Sequence, residues 1–289
     1  VATKPKRTIA LCILLTVACG GGFTRWTTEN RADKLWVPQG TLASTEESMY
    51  NEHYKSSSRF NNVIIQASDG GNVLTKDALT DAMKMHKEIE TGSATVNMTT
   101  AGGEETTGDY TLLDLCSVGS SCTTKFDGVC SCLIVDSVLK LWDFDVDSLS
   151  AETDILGVLN ARYNKEDLEG VLGNPVFDDD GNIVSAQAFS IGYVIDDRSA
   201  EAGSDEAGTE ADPINEGWEL DVFIKTVESV PTDFTNISVD YLAGRSFSDE
   251  FGGAITGDLV LVQISYAVIF IFLGANMGKI IPGPESRWT

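Results

Sequence analysis

Two charge-free apolar runs, one near each end of the chain, constrain it more than any other feature. The second covers residues 259–277, where only Gln263, Ser265, Tyr266 and Asn276 add polarity, with Asp258 just before it and Lys279 just after. A core helix of that length in a soluble protein would show a polar face. A membrane-spanning helix is expected instead, since about 20 apolar residues cross the hydrocarbon. The first run, residues 8–23, follows Lys4, Lys6 and Arg7 and is short for a span. Trp26 at the interface and a snorkelling Arg25 extend its usable length. The same run also fits a secretory signal peptide, with a basic start and small residues near Ala18. The chain begins with Val rather than Met, which favours a processed or partial chain whose first run is a span.

Charge divides the chain the same way. Of its 289 residues, 44 are acidic and 20 basic, for a net charge of -24. Residues 24–258 hold 43 of the acids, while both ends are slightly basic. This acidity excludes a nucleic-acid partner, which would call for a basic footprint on phosphate. At 42% hydrophobic the chain can build a core, so global disorder is excluded too. The basic flanks lie outside both apolar runs, so the positive-inside rule puts both termini in the cytosol. The expected order is a cytosolic segment 1–7, a first span 8–23, an extracellular or lumenal domain 24–258, a second span 259–278 and a cytosolic loop 279–289. Two glycosylation sequons, at Asn97 and Asn236, fall within the outer portion.

Four of the six cysteines, Cys116, Cys122, Cys130 and Cys132, crowd into 17 positions. Their gaps of 5, 7 and 1 residues suit zinc poorly, because structural zinc prefers Cys-x2–4-Cys pairs. In an oxidising compartment they read as two disulfides with three possible connectivities, Cys116 reaching Cys130 or Cys132 being favoured. Cys12 and Cys19 lie in the first apolar run and read as reduced packing residues.

Between the spans the pattern predicts an α+β domain. A strand over 61–68 leads into a helix from Thr75 to a stop at Gly92. Residues 92–108 read as a Gly/Thr-rich loop, and helices are expected over 134–142 and 150–163. An acidic turn at Asp178–Gly181 joins a hairpin of residues 174–177 and 183–195. A loop over 196–215 precedes an amphipathic helix over 216–230 and a last strand over 237–242. His53 and His86 have no ligand-spaced neighbour and read as surface or packing residues. The acids at 178–180 do not follow the calcium-loop order, because Val176 would be the first ligand. No nucleophile elbow, phosphate loop or dinucleotide fingerprint is present. No catalytic residue, metal site or cofactor is therefore expected, and the chain reads as no enzyme.

Several segments, in order, resemble one family. They are Thr27-Thr-Glu-Asn-Arg-Ala-Asp-Lys-Leu-Trp36-Val-Pro-Gln-Gly40 after the first run, and Arg59-Phe-Asn-Asn-Val-Ile-Ile-Gln66 as a first strand. Asp114-Leu-Cys116, Cys132 and Ser137-Val-Leu-Lys-Leu-Trp142 follow, then Gly181-Asn-Ile-Val-Ser-Ala186 and Arg245-Ser-Phe-Ser-Asp-Glu250 with the run to Lys279. Together they resemble the Patched and Niemann-Pick type C-related membrane proteins, of the resistance-nodulation-division (RND) type. The resemblance implies a ferredoxin-like, RND porter-like ectodomain flanked by two transmembrane helices, the second opening a sterol-sensing domain. It implies movement or sensing of sterols or other lipids, with membrane lipids and the remaining transmembrane half of the same protein as partners. The family's ion-coupling acids belong to later helices, so residues 1–289 are expected not to transport alone. A receptor that keeps this architecture without transport is the first alternative. A secreted acidic enzyme with a C-terminal membrane anchor is the second, and it needs residues 8–23 to be a cleaved signal.

Overall fold

The computed structural model describes residues 5–25, 27, 29, 31, 34–35, 38, 40–53, 58–100, 102–117, 134–135, 137–201 and 211–276. The strands are β1 (Ser58–Ala67), β2 (Ser93–Thr99), β3 (Glu105–Thr111), β4 (Ile134–Val135), β5 (Leu172–Gly173), β6 (Val176–Phe177), β7 (Ile183–Ser185), β8 (Ala188–Asp196) and β9 (Ile237–Leu242). Among the described residues the α-helices of six or more residues are α1 (Pro5–Gly20), α2 (Leu42–His53), α3 (Lys76–Thr91), α4 (Val146–Ala151), α5 (Ile155–Arg162), α6 (Lys165–Val171), α7 (Pro213–Trp218), α8 (Lys225–Asp233) and α9 (Ser246–Asn276). The architecture is mixed α and β, as the alternation of strand and helix patterns predicts.

The main sheet runs β4–β8–β1–β9 with every pairing antiparallel, and β5 pairs with the opposite end of β8. β1 is central, and its pleat turns Asn61, Val63, Ile65 and Ala67 inward while Phe60, Ile64 and Gln66 face out. β8 is buried continuously from Ile191 to Ile195. α3 covers the inner face with Leu79, Met83 and Ile89, and the helical stretch from Pro213 adds Trp218, Phe223 and Val227. The α3 boundaries match the sequence signals. The Thr75 hydroxyl accepts from Ala78 N–H, and Gly92 N–H closes the last turn on the Glu88 carbonyl at 2.9 Å.

Four expectations are corrected. Residues 92–108 are not a loop, because they form most of an antiparallel β2–β3 hairpin. Its polar face is tied by Thr95 donating to Asp109 and Thr107 donating to Asn97, each at 2.6 Å. Its other face buries Ala94 and Val96 and packs on α7. The alternation there is too weakly apolar to read as a strand without that partner. The helix expected over 150–163 is broken, because α4 ends at Ala151 and α5 starts at Ile155, where Asp154 caps it through Gly157 N–H. Aspartate at that position competes for the backbone and interrupts the run. Residues 134–135 are strand paired with Tyr193 and Gly192, and only residues 138–142 are helical, as a 3-10 turn. The helix expected over 216–230 runs from Pro213 to Asp233, with a π-helical segment at Glu219–Ile224. Asp212 accepts from Asn215 N–H, and Pro213 stands at the first helical position.

α9 is the one helix among the described residues that is long and apolar enough to cross a membrane by length and composition. It starts at Ser246, well before the expected residue 259. At 1.5 Å per residue its charge-free portion, 259–276, spans about 27 Å, and residues 246–258 add about 20 Å beyond it. α1 is apolar and helical but has 16 residues, below the ~20 of a full span.

Phe189 is 1% exposed where β8 meets the helices. Phe189→Ala is expected to cost about 3–5 kcal/mol, read as a lowered thermal unfolding midpoint of the detergent-solubilised chain.

Candidate functional site

The sheet, the π-helical segment and the start of α9 meet at one place, held by charge. Glu219 is fully buried in the π-helical segment. Arg59, near the start of β1, donates to both its oxygens, Nε to Oε1 at 3.1 Å and Nη2 to Oε2 at 2.8 Å. The Glu216 carboxylate lies 3.7 Å from Arg59 Nη1. Burial alone would lower the Arg59 pKa, but Glu219, Asp212 and Glu216 outweigh it and raise it. Asp212 is 1% exposed and its pKa is raised by burial, against hydrogen bonds from Arg198 and Asn215 and the charge of Arg59.

The same carboxylate holds the chain entering α9. Arg245 N–H donates to Glu219 Oε2 at 3.0 Å, and Gly244 N–H donates to Asn61 Oδ1 at 2.9 Å. A Cβ at Gly244 would lie 2.6 Å from Glu219 Oε1, so only glycine lets the backbone approach so closely. The Arg245 guanidinium donates to the Glu216 carbonyl at 2.8 Å and to both Asp249 oxygens at 2.6 and 3.0 Å.

Beside this clamp, β9 and the first turns of α9 border a cleft of about 500 Å³. Ile224, Val239, Leu242 and Phe247 give it apolar walls, and Asp240, Asp249 and Glu250 give it a negative rim. Phe247 is 56% exposed and stacks on Phe251 at 6.1 Å. The Tyr241 hydroxyl donates to Glu228 Oε1 at 3.0 Å. Its pKa is pushed up to about 12 by burial, by that hydrogen bond and by the charges of Glu228, Glu250 and Asp249.

A second cleft, of about 620 Å³, lies between α3, residues 111–113 and the 140–144 turn. His86 on its wall is 1% exposed, with Nδ1 3.0 Å from the Tyr193 hydroxyl and its ring 4.5 Å from that of Phe144. Burial, with a smaller push from Lys87 and against Glu90, lowers its pKa from 6.5 to about 4. His86 is thus a neutral packing histidine, as its sequence context predicts. His53 is exposed and lies 2.9 Å from the Met49 carbonyl through Nδ1.

The sequence-predicted modification residues do not meet at this site. Asn97 is exposed on the polar face of the β2–β3 hairpin. Asn236 is exposed just before β9, and its amide donates to Asp81 Oδ2 at 2.8 Å. Cys116 is 1% exposed at the end of a single helical turn. Cys122, Cys130 and Cys132 lie outside the described residues, as do half of residues 27–40, the centre of the acidic stretch at 202–210 and the segment after residue 276. Cys12 and Cys19 are free and exposed on α1. Among the described residues no group of three or more His, Cys, Asp or Glu side chains could hold a metal ion. The Asp178 carboxylate is taken by Asn182 and by Asp180 N–H, and these bonds lower its pKa.

Glu219, Tyr241 and Glu250 were not singled out from the sequence. Among so many acids, a buried Glu carries no signal of its own. The trace that exists is Arg245 four residues before Asp249, an i,i+4 pair at the start of an apolar helix.

The arrangement is that of a folded α+β domain clamped to a helix of membrane-spanning length. The chain matches no protein-family model. It is similar to the NPC intracellular cholesterol transporter 1 of Sus scrofa, at 25% identity over 314 aligned positions covering 96% of this chain. It spans 23% of the length of that protein.

Two outcomes follow from the buried groups. Glu219→Ala leaves Arg59 without its bidentate partner and is expected to cost about 3–5 kcal/mol in thermal or chemical unfolding. A loss below about 1 kcal/mol would mean that the pair holds nothing. For His86 the folded pKa, about 4, lies below the unfolded 6.5, so the unfolded state binds more protons between them. Stability should be full above pH 6.5 and fall by about 3 kcal/mol as the pH drops through 4, with the decline flattened in His86→Gln.

Proposed function

We propose that residues 1–289 form the N-terminal part of a Patched-like, multi-pass membrane protein that moves or senses sterols or other lipids. The observation that carries this reading is the similarity to a cholesterol transporter across 96% of a chain that includes a helix of membrane-spanning length. In this reading α1 is the first span, α9 the second and the start of a sterol-sensing domain, and residues 24–258 face the lumen or the exterior.

The domain between them reads as ferredoxin-like and RND porter-like. The order β4–β8–β1–β9 supports this, with β1–α3 leading to β4 and β8–α7/α8 leading to β9. That is a split βαβ arranged twice in one antiparallel sheet. The ectodomain is read as glycosylated at Asn97 and Asn236 and stapled by Cys116, Cys122, Cys130 and Cys132. The described part of α9 carries no Asp, Glu, Lys, Arg or His after Asp258, and α1 carries none after Arg7. Such helices offer no intramembrane acid for coupling. The piece is therefore a membrane-anchored, non-catalytic ectodomain without transport of its own, and its partners are lipids and the remaining membrane helices.

The test is reconstitution of the chain in liposomes with a photoreactive cholesterol and, separately, a fluorescent sterol under a proton or sodium gradient. Saturable cross-linking without gradient-driven movement is expected. Cross-linking no greater than to an unrelated single-span protein, or sterol movement beyond that of empty liposomes, refutes the reading.

A further inference from the structure

We infer that the outer edge of β9 receives an extended segment of a partner protein as one more antiparallel strand, basic on one side and apolar on the other. The inference goes beyond lipid handling, because it gives the domain a polypeptide partner.

The backbone is the first argument. β9 ends the main sheet, and β1 covers one of its two edges. Ser68 N–H donates to the Asn236 carbonyl at 3.0 Å. In an antiparallel ladder hydrogen-bonded pairs alternate, so Gln66 with Ser238, Ile64 with Asp240 and Asn62 with Leu242 are the bonded ones. Ile237, Val239 and Tyr241 therefore turn their N–H and C=O groups away from β1. Among the described residues no backbone group bonds to them there. A row of unpaired donors and acceptors along an edge is a template for another strand. The cleft beside it is lined by Val239, Asp240, Tyr241 and Leu242, consecutive residues from both sides of the pleat. It thus follows the edge of the strand, with the first turns of α9 as its far wall.

Pleat and charge define the occupant. On the outer side of the sheet Asp240 is exposed, and it matches a basic cross-strand neighbour. On the inner side Val239 and Tyr241 are half-buried beside Ile224, and they match apolar neighbours. The 43 acids of residues 24–258 draw a basic segment toward the domain. The same charge argues against a second copy of this chain, which would bring its own Asp240 and its own acidic domain to the edge. In an antiparallel addition the residues opposite Val239 and Tyr241 bond to them and share their side. The apolar residues of the partner therefore supply the backbone bonds, and its basic residues do not.

The experiment is fluorescence anisotropy of a labelled peptide of alternating Val and Lys, about eight residues long, titrated with the full chain in uncharged maltoside micelles. Saturable binding is expected, at least about tenfold tighter than that of a Val-Glu peptide. Methylating the Val nitrogens of the peptide should weaken binding about tenfold or more, and methylating its Lys nitrogens should change it less than about twofold. Val239→Pro removes an N–H that the sheet itself does not use and should weaken binding about tenfold. Asp240→Lys should weaken the Val-Lys peptide and strengthen the Val-Glu peptide, while Asp179→Lys on the distant hairpin turn alters neither. Near-UV circular dichroism checks the fold of each variant, and if Val239→Pro does not fold the methylated peptides decide. Absence of saturable binding, equal effects of the two methylations, or equal effects of Asp179→Lys and Asp240→Lys would overturn the inference. A dimer of the chain that Val239→Pro dissolves would give the edge to a second copy and overturn it too. None of these outcomes bears on sterol cross-linking, so the two proposals fail separately.

Discussion

The rest of the structure depends on one buried ion pair, Arg59 with Glu219. A fully buried carboxylate is costly to desolvate and persists only with its oxygens occupied. Here one side of Glu219 takes the Arg59 fork and the other takes the Arg245 backbone. The π-helical segment places this side chain against the first strand, and such segments gather at functional positions in helices. The pair joins the central strand, the second long helical stretch and the chain entering α9, so the direction of α9 is tied to the core rather than to a free loop.

An aromatic row extends from the same region. His86 stacks on Tyr193, Tyr193 meets Phe223 edge-on, and Phe223 meets both Trp218 and Tyr241. The rings run from the wall of the larger cleft to the wall of the acidic cleft beside α9. Edge-to-face contacts of this kind add to burial energy and fix relative orientation. These two clefts therefore share one aromatic core.

Polar chemistry is distributed unevenly around that core. The outer face of the β2–β3 hairpin is threonine, asparagine and aspartate paired across the strands, a surface suited to solvent. The start of α9 combines exposed phenylalanine with carboxylates, and past Asp258 its described part carries no charged residue. The chain thus passes from a wet, acidic domain through an amphipathic collar to a hydrocarbon-compatible helix.

The sequence by itself determined the elements whose cause is local. The apolar stretch of α9, the Thr75 and Gly92 ends of α3, strand β1 and the whole of β9 were legible, because length, capping and β-branched runs act within a few residues. The acidic hairpin turn was legible for the same reason, since Gly181 at φ +85 and the Asp178 carboxylate shape it alone. What only the tertiary structure decided is non-local. The β2–β3 hairpin exists because α7 buries its weakly apolar face, and β4 exists because β8 offers it an edge. Glu219 was invisible among 44 acids, since its role requires Arg59, which lies 160 residues away in the sequence. The candidate cleft was equally hidden, because its walls come from the π-helical segment, β9 and α9, and charge density along the chain does not say which carboxylates will face one another across a gap.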